Sequence, residues 1–341
     1  MNQKPKSLGF FMPPEWYDHS STWISWPHNI ETWLDLELIE KIYLDIIKSI
    51  STGEVVNILV NGKENEVNVK NKLSLSNIDL SQVKFYSIPT VDAWIRDYGP
   101  NFLINKNKEL SFNNWIFNAW GSKYHELKKD NNVSDNINRF LNLKIFNPGI
   151  ILEGGSIEVN GNGLCMTTEQ CLLNQNRNSD LSKGEIEGYL KDFLGVDNVI
   201  WLKEGLKGDD TDGHIDDIAR FVNSDTILIN SPEQGDVNFN FMDENYKILE
   251  KFAEEFGLNI VKLPVPRSIQ AKGQILPASY TNFYICNSSV LVPIFNDDND
   301  SKAIDLIKRY FPERNVVGID CRKLIEGFGA IHCITQQQPL P

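Results

Sequence analysis

Ser156-Ile-Glu-Val-Asn160, Gly161-Asn-Gly163 and Leu164-Cys-Met-Thr-Thr168 follow one another without a break. Two short β-prone runs meet at a turn whose Gly and Asn tolerate positive φ, which reads as a hairpin. Further on, Ser182-Lys-Gly-Glu185 has capping-box spacing, and Ile186, Leu190, Phe193 and Leu194 recur at helical period. Gly195 stops that helix, and Asn198-Val-Ile-Trp-Leu202 reads as another strand. The order is strand, strand, helix, strand.

The same order recurs downstream. Strands at 219–222 and 226–229 flank Asn223-Ser224-Asp225, and a helix over 243–256, ended by Gly257, leads to a strand at 259–263. Strands at 282–286 and 290–294 flank Asn287-Ser288-Ser289, and a helix over 301–311, stopped by Pro312, leads to 315–319. Upstream, strands at 101–104 and 110–117 and a weaker helix over 130–143 fit more loosely. Near the N-terminus a strand at 22–26 is followed by a helix over 35–50, with Leu38, Ile39, Ile42, Tyr43, Ile46 and Ile47 on one face, and by a strand at 54–60. The C-terminus offers one more strand, 331–335. Pairing of the two terminal strands would complete a fifth unit and close a ring. Gly154, His214 and Tyr280, at corresponding points, lie 60 and 66 residues apart, within the range of repeat architectures. An ordinary α/β domain with coincidental spacing is the alternative. A closed ring would bring strand ends from distant parts of the chain around one axis.

The chain has 341 residues, 41% hydrophobic and 23% charged, so it can bury a large core and is not disordered. A net charge of −13 argues against nucleic acid, whose phosphates would be repelled. An acidic surface suits a cationic ligand or serves solubility. The stretch MNQKPKSLGFFMPPEWYDH lacks a sustained apolar segment and a small-residue cleavage site, and no apolar run approaches the roughly 18 residues of a membrane span. Five irregularly spaced cysteines make neither a disulfide framework nor a zinc ribbon. A reducing, cytoplasmic setting is expected, with no membrane partner.

Ile331-His332-Cys333-Ile334 sets a histidine beside a cysteine. Neighbours on a strand point to opposite faces, so His332 is not expected to serve Cys333 as its base. Cys333 is either a nucleophile with a base from elsewhere or a buried inert thiol. His19, His28 and His125 stand in turn-like contexts that read as surface. His214 differs, lying in Lys207-Gly-Asp-Asp-Thr-Asp-Gly-His-Ile-Asp-Asp217 among five carboxylates. An EF-hand beginning at Gly208 would need Ala219 as its twelfth ligand, so that motif fails. No second His/Cys pair has metal-ligand spacing. The loop is either a solvated acidic turn or, with His214 and Asp216 on one face of an extended chain, a site aimed at one ligand. Ile215, Ile218, Ala219 and Val222 also fit a helical period, so periodicity leaves its structure open.

Val91-Asp-Ala-Trp-Ile-Arg-Asp-Tyr98 sets Asp92, Arg96 and Asp97 among large apolar residues, and Ile150-Ile-Leu-Glu-Gly-Gly155 sets Glu153 before two glycines. An unpaired buried carboxylate costs several kcal/mol, so each requires a cation. That cation is either internal, from Arg96, Arg220 or a lysine, or a planar cationic ligand gripped bidentately.

Taken together, Met12-Pro-Pro-Glu-Trp16, Trp23-Ile-Ser-Trp-Pro27, Trp94-Ile-Arg-Asp-Tyr-Gly-Pro100, Phe117-Asn-Ala-Trp-Gly121, Leu152-Glu-Gly-Gly-Ser-Ile157, Asn176-Arg-Asn178, Gly213-His-Ile-Asp216 and Ile331-His-Cys-Ile-Thr-Gln-Gln337 resemble, in order and over nearly the whole chain, the agmatine deiminases. These belong to the guanidino-group-modifying pentein superfamily. The resemblance implies a five-bladed α/β-propeller of ββαβ-type units, one catalytic domain over residues 1–341, and hydrolysis of agmatine to N-carbamoylputrescine and ammonia in polyamine biosynthesis. By the same resemblance Cys333 is the nucleophile, His214 the general acid/base, and Asp97 and Asp216 the carboxylates gripping the guanidinium. Glu153 helps hold the histidine and a substrate nitrogen, and Trp94 and Trp120 line the substrate channel. Gly327-Phe-Gly-Ala330 and Glu158 depart from many relatives and bear on fine specificity.

Guanidinium is a poor electrophile, because resonance spreads its charge, and needs a strong nucleophile in enforced geometry. A cysteine thiolate with an imidazole to move protons supplies both, so no metal or other cofactor is expected. The expected partner is a small cationic guanidino substrate, and self-association into a homo-oligomer is left open. Arginine or peptidyl-arginine as substrate, an amidinotransferase, a cysteine peptidase and a non-catalytic polyamine-binding protein are the other readings.

Overall fold

The computed structural model describes residues 3–271 and 273–341; residues 1 and 2 of the N-terminal stretch read above lie outside the described residues. Its fold is mixed α/β, with the strands distributed over separate small sheets. In the stretch that opened the reading, Glu158–Val159 pairs antiparallel with Leu164–Thr168, which pairs in parallel with Asn198–Leu202. Between the parallel strands runs the helix Lys183–Leu194, where the Ser182 side chain accepts from the Glu185 amide and the Glu185 carboxylate accepts in return. Gly195 closes it at φ 73°, in the left-handed region that only glycine enters at little cost.

Four further sheets repeat this plan. Ala219–Asn223, Thr226–Asn230 and Asn259–Leu263 form one, with the helix Phe239–Phe256 as crossover. Tyr284–Ile285, Ser289–Ile294 and Asn315–Asp320 form the next, with the helix Asp300–Lys308. Asn101–Asn105, Leu110–Asn113 and Lys144–Phe146 form a third, extended at its edge by Phe10–Phe11. In the last, the C-terminal strand Gln336–Pro339 lies antiparallel to His19–Ser25, followed in parallel by Val55–Val60 and Val83–Ser87. The chain ends are therefore joined in one sheet. A small hairpin, Ile269–Ala271 with Gln274–Leu276, stands apart. The helix Leu36–Ile50 buries Ile39, Tyr43, Ile46, Ile47 and Ile50 in the core cluster that also holds Trp94, Trp120 and Cys333. No helix among the described residues is long and apolar enough to cross a membrane.

Several expectations need correction. The terminal strand is not 331–335. His332–Ile334 is a 3-10 turn, held by Ile334 and Thr335 amides donating to the Ile331 and His332 carbonyls and by the Thr335 hydroxyl donating to the same two groups. Pairing begins only at Gln336. The segment after His214 is neither a continuous strand nor a longer helix, but the 3-10 turn Ile215–Asp217 running into a strand. His19 is buried, with Nδ1 3.0 Å from Glu54 and Nε2 2.8 Å from the Glu15 carbonyl. The helix Lys63–Leu75 escaped the reading because it is polar nearly all round and buries only Val69 and Leu73.

Candidate functional site

In every repeat, the segment that leads into the first strand carries polar groups to the same place. The single turn Ile95–Tyr98, Gly154–Ser156, Ile215–Asp217 and His332–Ile334 fill this position in four of them, and residues 279–282 fill it in the fifth. Short 3-10 turns suit this task, since they project side chains at close spacing without starting a helix.

Gly155 is where they meet. A Cβ at Gly155 would lie 2.6 Å from His214 Nδ1, 2.9 Å from Asp97 Oδ1 and 3.1 Å from Asp216 Oδ2. A Cβ at Gly154 would lie 2.1 Å from the Arg96 carbonyl oxygen. The paired glycines are thus required by close approach. The Gly155 amide donates to Asp97 Oδ1 at 3.0 Å, and the Trp120 indole donates to Asp97 Oδ2 at 2.8 Å. Trp120 reaches it from a backbone at φ 51°, ψ 55°, next to Ala119 at φ 59°. Left-handed geometry costs non-glycine residues roughly 1–2 kcal/mol each, strain of the kind that gathers at functional sites. His214 sits 3.7 Å from Asp97 through Nδ1 and 4.0 Å from Glu153 through Nε2. The Glu153 Oε2, His214 Nε2 and Asp216 Oδ1 atoms are buried and have no hydrogen-bond partner among the described residues.

Cys333 lies 3.9 Å from Asp216 Oδ2, and the Asn282 amide donates to its sulfur at 3.2 Å. His332 approaches the same carboxylate oxygen from the other side of its own turn. Its Nδ1 is 2.6 Å from Asp216 Oδ2 and its Nε2 is 2.8 Å from Glu15 Oε2. The ring thus lies between two buried carboxylates. Glu15 also accepts from Arg220 at 2.8 Å, Arg96 at 3.3 Å and the Ile285 amide at 2.8 Å. The cation for Glu153 is Arg177, at 2.7 Å.

Burial pushes the Asp97 carboxyl well up, and the charges of Asp216 and Glu153 add to it. Burial also raises Glu153 in spite of Arg177. For Asp216 burial acts upward, but the His332 hydrogen bond and charge, with His214 and Arg220, hold it below the ordinary carboxylate value. Burial lowers His214 to about 3, so the imidazole is neutral at physiological pH. The Cys333 thiol is pushed well up by burial and then by Asp216, Asp217 and Asp97. A bound cation would reverse the last effect.

A cavity of about 190 Å³ opens onto Cys333 and Asp97, walled by Trp94, Trp120, Tyr124 and Phe328. Its lining holds Glu31, Asp92, Asp97, Asp210 and Glu326 and, among the described residues, no lysine, arginine or histidine. Glu153, Cys171 and His214 offer ligand atoms within 4.8 Å of one another, as do Asp216, Asp217 and Cys333. Arg177 beside Glu153 repels a metal from the first group, while the second would draw an organic cation as readily as a metal. Of the seven residues singled out from sequence, Cys333, Asp97, Trp94 and Trp120 line this cavity, while His214 and Asp216 meet Asp97 around Gly155 and Glu153 stands beside His214. Asn282 and Glu15 were missed as site residues. Glu15 lies in the Met12–Trp16 motif, which was a usable signal, whereas a lone Asn282 gave none.

The profile of the Porphyromonas-type peptidyl-arginine deiminases matches residues 11–339. An agmatine deiminase from Ectopseudomonas mendocina is 36% identical over 364 residues, covering 99% of this chain and 97% of that one. Among solved structures, an agmatine deiminase of Enterococcus faecalis superposes with a TM-score of 0.92 at 31% identity, over 100% and 98% of the two chains. An agmatine deiminase of C. jejuni with substrate bound gives 0.88 at 32% identity over 96% of each.

Proposed function

We propose that this chain, which belongs to the Porphyromonas-type peptidyl-arginine deiminase family, hydrolyses agmatine to N-carbamoylputrescine and ammonia. The observation that carries the reading is a thiol, an imidazole and three carboxylates gathered around Gly155 and an aromatic, acid-lined cavity. The agmatine deiminases of similar sequence and structure support the choice of substrate.

In this reading Asp97 and Asp216 hold the guanidinium nitrogens and fix its plane. The substrate's positive charge offsets the carboxylates that disfavour the thiolate. The Cys333 proton passes to neutral His214 as sulfur attacks the guanidinium carbon and a C–S bond forms. His214 then returns that proton to one nitrogen, which leaves as ammonia and leaves a thiouronium on Cys333. His214 next takes a proton from water, whose oxygen attacks the same carbon. The C–S bond breaks with its electron pair on sulfur, which regains the proton held by His214, the remaining hydroxyl proton passes to solvent, and the ureido product departs. Glu153 orients the imidazole and receives a substrate nitrogen, while Trp94 and Trp120 flank the chain of the substrate. The same reading makes the five helix-bearing sheets the blades of an α/β-propeller of pentein type, in a single catalytic domain over residues 1–341. A reducing, cytoplasmic setting suits a working thiol accompanied by four other free cysteines.

The test is a panel of agmatine, arginine and arginyl peptides, scored for ammonia and ureido product. Ureido product from agmatine is expected. Absence of product from every guanidino compound overturns the reading, and stoichiometric binding without ammonia release would mark a polyamine-binding protein instead.

A further inference from the structure

We infer that Phe328 is a specificity-determining residue of this site, its ring a fixed wall that admits an unbranched guanidinoalkane and turns away guanidino compounds branched at the far end of the chain, such as an arginine amide or an arginyl peptide. The inference rests on the reading of the cavity as the guanidino site.

Phe328 closes the 3-10 turn Leu324–Gly327 at φ 70°, ψ 15°, its amide donating to the Ile325 carbonyl at 2.9 Å. This is the left-handed region, which glycine enters freely and a bulky side chain seldom occupies. Glycines stand on both sides, yet the left-handed position itself carries phenylalanine. Core burial does not account for the choice, because Phe328 is only half-buried, although it packs against the main core cluster. It lines the cavity, together with Glu326, Gly327 and Gly329. A strained residue at a cavity wall points to a task there.

This wall has no room to step back. A Cβ at Gly327 would lie 2.6 Å from the Trp33 indole nitrogen, and one at Gly329 would lie 2.5 Å from the Trp94 ring and 3.2 Å from Cys333 Sγ. Trp33 and Trp94 pack on each other with centroids 5.1 Å apart, and the Trp33 indole donates to the Leu324 carbonyl at 2.9 Å. The loop is thus pressed onto two indoles on either flank of Phe328, and close packing of this kind resists displacement. The same contacts set the ring one residue from the glycine that adjoins the nucleophile's sulfur. A chain leaving a guanidinium seated at Cys333 and Asp97 therefore leaves through a cavity that this ring narrows. An unbranched chain needs little width, whereas a rigid wall rejects a branch whatever its charge. The ring's action is in this way separable from that of the wall acids, which oppose a carboxylate.

The test compares argininamide with agmatine in wild type, Phe328→Gly and Phe328→Ala. Argininamide keeps the guanidinium and adds a carboxamide branch without a negative charge, so wall charge does not exclude it. The ratio of kcat/KM, argininamide over agmatine, should rise at least about tenfold in both variants, the order of discrimination that one group of substrate bulk carries in a fitted pocket. Glycine also frees the left-handed backbone, whereas alanine removes the ring alone. A rise in the Gly variant only would assign the effect to loop freedom and overturn the inference. Alkylation of Cys333 gives a reading that needs no turnover. The rate with bulky iodoacetanilide relative to iodoacetamide, followed by mass spectrometry of the Cys333 peptide, should rise by a similar factor in both variants. Ratios equal to wild type overturn the inference, and a lowered melting temperature with those unchanged ratios would make Phe328 a packing residue. If no guanidino compound is turned over, the proposed function falls, while the alkylation ratio still decides for or against the wall.

Discussion

Agmatine and arginine present the same guanidinium and differ at the far end, where arginine adds an α-carboxylate. The cavity wall carries Glu31, Asp92, Asp210 and Glu326 in addition to Asp97 at its floor. The nearest arginines in sequence to the site carboxylates are committed elsewhere: Arg96 to Glu15, and Arg220 to Glu15 and Glu158. Lys123 is engaged by Asp212 at 2.8 Å and by the Asp210 carbonyl. Arginine's carboxylate would therefore enter without a cation. Two like charges about 6 Å apart repel by roughly 3 kcal/mol at an effective dielectric near 20, before any desolvation cost. Since each 1.4 kcal/mol is tenfold, kcat/KM should favour agmatine over arginine by at least about 100-fold. Both substrates should be assayed in one buffer at fixed salt, with the ureido product quantified. Comparable efficiency on arginine or on an arginyl peptide would refute the argument from the wall charges, while leaving the cysteine chemistry untouched.

Cys333→Ser should abolish turnover with the fold intact; quenched wild-type enzyme should carry its adduct on the Cys333 peptide, and an adduct on Cys165, Cys171, Cys286 or Cys321 would move the nucleophile. His332→Ala leaves Glu15 and Asp216 without the ring between them, so denaturant unfolding should show a loss of about 3–5 kcal/mol, whereas His214→Ala should lose turnover at near-wild-type stability; unchanged stability of His332→Ala would contradict the clasp. Gly155→Ala should be folded but reduced in kcat by at least about tenfold, because its Cβ would displace His214 or Asp97, and a fully active variant would mean that the three side chains can part freely. For pH, ionisation of a thiol whose pKa is raised makes kcat/KM climb as pH rises. The bound guanidinium favours thiolate, so the corresponding limb of kcat should lie at lower pH; coincident limbs would show that substrate charge does not offset Asp216, Asp217 and Asp97.

What could be read from sequence was local. The capping box at Ser182, the stop at Gly195 and the turn at Gly161-Asn162-Gly163 each form within a few residues, so the strand, strand, helix, strand order is present in the three repeats where it was legible, whereas the short closing strand Lys144–Phe146 of the upstream unit was not. The reading failed where a distant partner decides the local structure. Ile331-His332-Cys333-Ile334 has strand character, yet its Ile331 and His332 carbonyls accept the Ile334 and Thr335 amides and the Thr335 hydroxyl within a 3-10 turn, and the His332 amide is taken by Asn282, 50 residues earlier. In that turn His332 and Cys333 are not on opposite faces as strand alternation would have it: both reach Asp216 Oδ2, and the His332 ring continues to Glu15. The same distance hid the cations. Neither internal candidate for Glu153, Arg96 or Arg220, is its cation: Arg177 takes it, and those two arginines converge on Glu15 from near the N-terminus. Glu15 thereby anchors both arginines and His332, each carried by a different repeat, and that cluster lies directly behind Asp216 and Asn282. A charge so deeply buried is costly to place and more costly to leave unpaired. The repeats are consequently held in register at the point where the nucleophile and its carboxylates must meet, and the motif around Glu15 has a structural reason to accompany the one around Cys333.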